Sequence, residues 1–181
     1  MNRTTRATLA LAALGLALGG CTGSSEEEPK AAATPQDKWA KSLCEGLAPT
    51  TTPVSPPATD GADVAASKKA IVGFLQTLHD RLDAQSAVLK DVGAPPDVDP
   101  AAYKKARTSL NSGAATLEDV LKRFKKANPQ DAAAMQESLM QVSEALAGSA
   151  SYQGPLADLS ASDANLKKAF ENNEQCVSIM S

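Results

Sequence analysis

The sequence predicts an all-α protein, an elongated antiparallel up-down bundle of four principal helices with a short N-terminal helix, closed by one disulfide. Three observations carry that prediction. Alanine supplies 34 of the 181 residues, whereas isoleucine appears twice and valine nine times. Ala gives up no side-chain entropy in a helix and β-branched residues do, so this mixture favours helix and leaves too little to build the strands of a sandwich, barrel or wound sheet. Three long segments space their apolar residues three or four apart, and Cys44 and Cys176 stand near the two ends of the region that carries this pattern.

Residues 1–20 have the parts of an export signal. Arg3 and Arg6 make a positive start, Ala7 to Leu18 form an apolar run of about 12 residues broken only by Thr8, and Gly19 and Gly20 precede Cys21. The run is shorter than the ~20 residues a membrane-spanning helix needs, and polar sequence follows it. Leu18-Gly19-Gly20-Cys21 resembles the lipobox of bacterial lipoproteins. That resemblance implies cleavage just before Cys21 and a diacylglyceryl group on its sulfur, often with a further acyl chain on the new amino terminus. Two or three acyl chains anchor durably where one does not. The expected location is the extracytoplasmic face of the cell membrane.

Residues 21–35 read as a tether. Thr22 to Thr34 (TGSSEEEPKAAAT) has no large apolar side chain to bury. Glu26, Glu27 and Glu28 form a solvated spacer, not a metal site. Without residues 1–20 the chain carries 16 basic and 21 acidic side chains, a net charge near −5, which argues against binding nucleic acid or anionic lipid through bulk charge.

One helical domain is expected over 36–181. A short helix runs from Gln36 to about Leu47, with Trp39, Leu43 and Leu47 on one face. Pro49 to Pro57 (PTTTPVSPP) holds four prolines and breaks regular structure into a polyproline-like surface loop, whose Thr50, Thr51, Thr52 and Ser55 are candidates for O-linked sugar.

The second helix carries Val64, Ile71, Leu75, Leu78, Leu82, Leu89 and Val92. The third carries Tyr103, Ala106, Leu110, Gly113, Leu117, Val120, Phe124 and Ala127. The fourth carries Ala132, Met135, Leu139, Val142 and Leu146. Spacing that averages about 3.5 residues keeps one stripe against a partner helix. Phe74, Val88, Ala114, Leu121 and Met140 widen those stripes as a bundle requires.

Caps mark the boundaries. Asp60 with Asp63 opens the second helix, Gly93 and Pro95-Pro96 end it, Asp99-Pro100 opens the third, and Asn128 with Asp131 opens the fourth. Gly148 to Pro155 is a loop or a kinked continuation in which Tyr152 and Leu156 pack. A last helix then opens at Ser162 or Asp163, with Leu166, Phe170 and Val177 inward, Cys176 beside them, and Asn173 in the same phase. Short connections force antiparallel neighbours. An even pair of cysteines in an exported chain reads as one disulfide, Cys44 to Cys176, closing a loop of over 130 residues.

Residues that could carry chemistry are few. His79 is the lone histidine; Asp83 lies one turn on and Ser86 has no Gly-x-Ser-x-Gly elbow, so an edge-of-core pair is expected, not a hydrolytic one. Met135 and Met140 point apart on their helix and cannot share a metal. Lys122, Arg123, Lys125 and Lys126 crowd a helix end, where cations complement the dipole. No phosphate loop or metal-ligand cluster is written in the sequence. The reading is therefore non-enzymatic, with no cofactor and no metal.

Beyond the lipobox the chain resembles the small Ala-rich secreted lipoproteins of actinobacteria, a group whose activities are mostly unassigned. The resemblance rests on the Trp39…Cys44 helix, the helix end Val92-Gly93-Ala94-Pro95-Pro96-Asp97 and the late Cys176. It bears on location and fold more than on function. The function expected of such a bundle is that of a membrane-anchored module that binds an envelope protein or the cell-wall matrix. The alternative is a lipoprotein holding an apolar small molecule or lipid between its helices. Ala106, Leu110, Gly113, Ala114 and Leu117 mark the contact or pocket that separates the two. A close-packed neighbour is expected at Gly113, so that Gly113→Ala overpacks.

Overall fold

The computed structural model describes residues 32–58, 63–147 and 153–180. The signal, the lipobox, Cys21, most of the tether, Asp60 and Tyr152 lie outside them. A compact unit begins at Ala33. Its described residues form seven α-helices and a 3-10 turn, with no strand: α1 Pro35–Leu47, the turn Ala48–Thr50, α2 Val64–Val92, α3 Pro100–Lys126, α4 Ala132–Ala147, α5 Pro155–Ser162, α6 Ala164–Glu171 and α7 Glu174–Met180. The all-α bundle and its Cys44–Cys176 disulfide are as expected.

The antiparallel hairpin of α2 and α3 is the frame. Asp63 caps α2, accepting from the Ala66 amide at 2.8 Å, and Asp99 caps α3 through Ala101 at 2.8 Å. Asp131 caps α4 through Ala134 at 2.9 Å. Asp63 and Asp131 thus take the roles assigned to Asp60 and Asn128, three residues earlier. In each case a carboxylate sits immediately before the first helical residue, where it reaches the free amides.

Two apolar cores form along the hairpin. One packs the N-terminal half of α2 and the C-terminal half of α3 with α4, around Ile71, Leu75, Leu117, Val120, Phe124 and Met135. The larger gathers α1, α5, α6 and α7 against Leu89, Ala106 and Leu110. Half-buried Leu82 touches both cores. Among the described side chains of α4 only Met135 is buried, and Met140, expected to widen the stripe, is 55% exposed because it points away from Met135 and Leu139.

The last helix, expected to run on from Ser162 or Asp163, is instead two short ones, α6 and α7, and a further short helix, α5, precedes them. Asp163 leaves the helical region (φ −148°, ψ 124°) and caps α6 by accepting from Asn165 and Leu166 at 2.8 and 2.9 Å. Asn173 caps α7, its Oδ1 accepting from the Cys176 amide at 3.1 Å. Asp and Asn compete for backbone amides and so favour new starts over continuation. The restart shifts the phase: Cys176 is buried and Ile179 half-buried, while Val177, expected inward, is 45% exposed.

Close helix approach occurs at Gly46, not at Gly113. A β-carbon at Gly46 would lie 2.6 Å from Val88 Cγ1, so α1 meets α2 there with no room for a methyl. At Gly113 the nearest atom is Leu82 Cδ1 at 3.8 Å, an ordinary contact. Gly113→Ala should therefore stabilise by up to about 1 kcal/mol through helix propensity. Gly46→Ala should cost about 1–3 kcal/mol, because branched Val88 cannot move aside without repacking. Denaturant unfolding of the two variants checks the opposite signs.

Candidate functional site

The best-defined constellation is the end of the bundle where α1 is built in. Thr34 and Asp37 make a reciprocal cap: the Asp37 amide donates to Thr34 Oγ1 at 3.1 Å, and the Thr34 amide and hydroxyl each donate to Asp37 Oδ2 at 2.8 Å. Those bonds, the backbone one foremost, hold the Asp37 carboxyl below its ordinary value. The helix so started buries Trp39, Ala40, Leu43, Cys44 and Leu47, a face with the i, i+4, i+8 spacing of the sequence.

Polar contacts fix α1 against the α2–α3 turn. Trp39 Nε1 donates to the Gly93 carbonyl at 3.2 Å, and Gln36 Nε2 to the Pro96 carbonyl at 3.2 Å. The Tyr103 hydroxyl donates to the Leu89 carbonyl. Gly93 holds φ 75° and ψ −170°, a region closed to side chains with a β-carbon, and so aims its carbonyl at the indole. Cys44 and Cys176 are fully buried, their Cα atoms 5.1 Å apart, and the Trp39 and Phe170 rings lie beside them in the same core, 6.2 Å centroid to centroid.

The five residues expected to form a pocket or helix contact are divided between the cores. Ala106 and Leu110 are fully buried in the larger core and Leu117 in the other, Ala114 is buried, and Gly113 is half-buried. None of them lines either of two cavities. One, of about 60 Å3, lies between α3 and α4 against Val120, Phe124, Ser138 and Val142. The other is an open groove of about 750 Å3 bounded by Leu47, Gln85, Leu156, Ala161, Lys167 and Ile179. Its walls come from α1, α2, α5, α6 and α7. No single periodicity in the sequence marks them.

His79 sits at the edge of the core as expected, its Nδ1 3.4 Å from Asp83 Oδ2 and 3.6 Å from Asp80 Oδ1. Three of the four cations at the end of α3 reach separate partners, Arg123 Nε donating to the Asp119 carbonyl at 3.4 Å. Lys122 pairs with Glu118 at 2.6 Å, which lowers the Glu118 carboxyl and raises the Lys122 ammonium through that hydrogen bond. Lys125 reaches Gln76 at 3.2 Å, and the carbonyls of Lys125 and Ala127 accept from Lys68 of α2. Phe124 faces the core between them.

Among the described residues no group of three or more His, Cys, Asp or Glu could hold a metal ion, and no helix is long and apolar enough to cross a membrane. Comparison with protein-family models, curated proteins and solved structures finds no match.

The cap of α1 gives a pH-dependent expectation. Thr34→Ala should cost about 1 kcal/mol at neutral pH. A carboxyl whose folded pKa is depressed contributes above its ordinary value and loses that contribution as pH falls through the folded one. The stability difference between wild type and Asp37→Asn should therefore shrink as pH drops below about 4, measured by denaturant unfolding at several pH values.

Proposed function

We propose that the chain is a lipid-anchored extracytoplasmic protein whose helical unit acts by binding another envelope component, without chemistry of its own. The observation that carries the proposal is the buried Cys44–Cys176 disulfide in a unit that begins at Ala33, twelve residues beyond Cys21. Disulfides of this kind form and persist in oxidising compartments. The bridge therefore supports, from a separate part of the chain, the address read in Leu18-Gly19-Gly20-Cys21. The binding role draws on side chains left in solvent: Val177 and Met180, one turn apart on α7, are 45% and 43% exposed.

A second reading, an apolar ligand held by the protein, is favoured by the groove of about 750 Å3, which falls within the usual range of small-molecule sites. It moves the ligand away from Ala106–Leu117 to the surface between α1, α5 and α7. Native mass spectrometry of protein extracted from its own membrane separates the two readings, a co-purifying small molecule favouring the second.

The anchor is tested by substitution. Cys21→Ser should shift the protein from the membrane fraction to the soluble fraction while its helical circular-dichroism signal stays unchanged, because the residue lies outside the folded unit. Retention on membranes after a high-salt wash contradicts the anchor.

A further inference from the structure

The segment that follows α1 has a regular pattern of exposure. Across residues 51–58 (TTPVSPPA), Thr51, Val54 and Pro57 are half-buried while Thr52, Pro53, Ser55, Pro56 and Ala58 are exposed. A period of three is that of a polyproline II helix, in which residues i and i+3 share an edge; a strand repeats every two residues and an α-helix every 3.6. Pro53, Pro56 and Pro57 hold φ at the value this ribbon needs. Thr51 still has the helical backbone of the turn it caps, so the ribbon begins after it. It rests on the domain by Val54 and Pro57 and leaves Thr52 and Ser55, each held extended by the proline that follows it, in solvent.

The hydroxyls of this region fall into two classes. Thr50 Oγ1 donates to the Leu47 carbonyl at 2.7 Å and Thr51 Oγ1 to the Ala48 carbonyl at 3.0 Å, and both residues are half-buried. They satisfy the last carbonyls of α1 and the 3-10 turn. Thr52 and Ser55 make no hydrogen bond among the described residues.

We propose that Thr52 and Ser55 are acceptor sites for O-linked neutral sugar. The proposal rests on the export reading above, since it places the modification on the extracytoplasmic side. A glycosyltransferase seats its acceptor as extended backbone with the hydroxyl projecting. Here that shape is already set by proline, so binding loses little chain entropy. Ser, Thr and Pro without charge is also the composition of O-glycosylated stalks, and no charged residue lies between Pro49 and Ala58. In the transfer, the hydroxyl oxygen attacks the anomeric carbon of a sugar activated as a nucleotide or polyprenyl phosphate. The bond from that carbon to the phosphate oxygen breaks, the phosphate leaves with the electron pair, and a base of the transferase takes the hydroxyl proton. Thr50 and Thr51 are excluded because modifying them would break the bonds that end α1.

The test uses full-length protein purified from membranes of the cell that makes it, with sites mapped by mass spectrometry under fragmentation that leaves O-glycans attached. The expected result is whole hexose increments at Thr52, Ser55 or both, none at Thr50 or Thr51, and their complete loss in a Thr52→Ala/Ser55→Ala variant that keeps the wild-type melting temperature. Bare Thr52 and Ser55, or sugar on Thr50 or Thr51, overturns the proposal. The N-terminal peptide of the same digest separates this from the anchor reading. A bare ribbon on protein acylated at Cys21 overturns the glycan site alone, a bare ribbon with residues 1–20 uncut overturns both, and sugar at Thr52 without acylation upholds the site and removes the anchor.

Discussion

The burial of one face of α1, locked by a covalent bond to α7, is the interaction on which the rest of the C-terminal structure depends. Helices α5, α6 and α7 are eight, eight and seven residues long. Helices shorter than about 12–15 residues are marginal in water, so these three owe their existence to packing. Of these, α6 and α7 pack on α1, and α5 packs on α3 and α6. Leu43, Cys44 and Leu47 of α1 are almost wholly buried in the core they share with Leu166, Phe170 and Cys176. The disulfide closes a separation of 132 residues, a loop for which chain entropy alone gives about 5 kcal/mol as an upper figure.

The α2–α3 hairpin plays a different part. It runs through both cores and needs no covalent help, because its own stripes of Ile71, Leu75, Leu117, Val120 and Phe124 meet along its length. At its turn the Gly93 and Pro96 carbonyls receive Trp39 and Gln36, so the place where the hairpin reverses is also where α1 is seated. The first helix of the folded unit is thereby tied both to the centre of the domain and to its last helix.

Much of this was legible in the sequence. The α1 face, the 3.5-residue stripes of α2 and α3, the Asp99-Pro100 start and the Cys44–Cys176 pair rest on local or periodic signals, and the structure keeps them. The start at Asp163 is as the sequence marks it. Asn173, a single residue in the inward phase, starts a further helix instead, and that restart turns Val177 outward and Cys176 inward. The start of α5 was marked by Gly154-Pro155 followed by Leu156 and Leu159, but eight residues are too few for periodicity to declare itself. Gly46 and Gly113 look alike in sequence, each glycine within an apolar helix. Only the crossing of α1 over α2 makes one a contact and leaves the other open. The groove between α1, α5 and α7 likewise arises from tertiary placement, and no run of residues announces it.

The dependence of the C-terminal helices on α1 and its disulfide is tested most directly by native-state hydrogen exchange, read by mass spectrometry on oxidised and reduced protein. On reduction the amides of α1, α6 and α7 should lose protection together, while those of α2 and α3 around Leu75, Leu117 and Val120 keep theirs. Loss of protection spread evenly over the domain, or α1 remaining protected while α7 alone frays, would contradict the account.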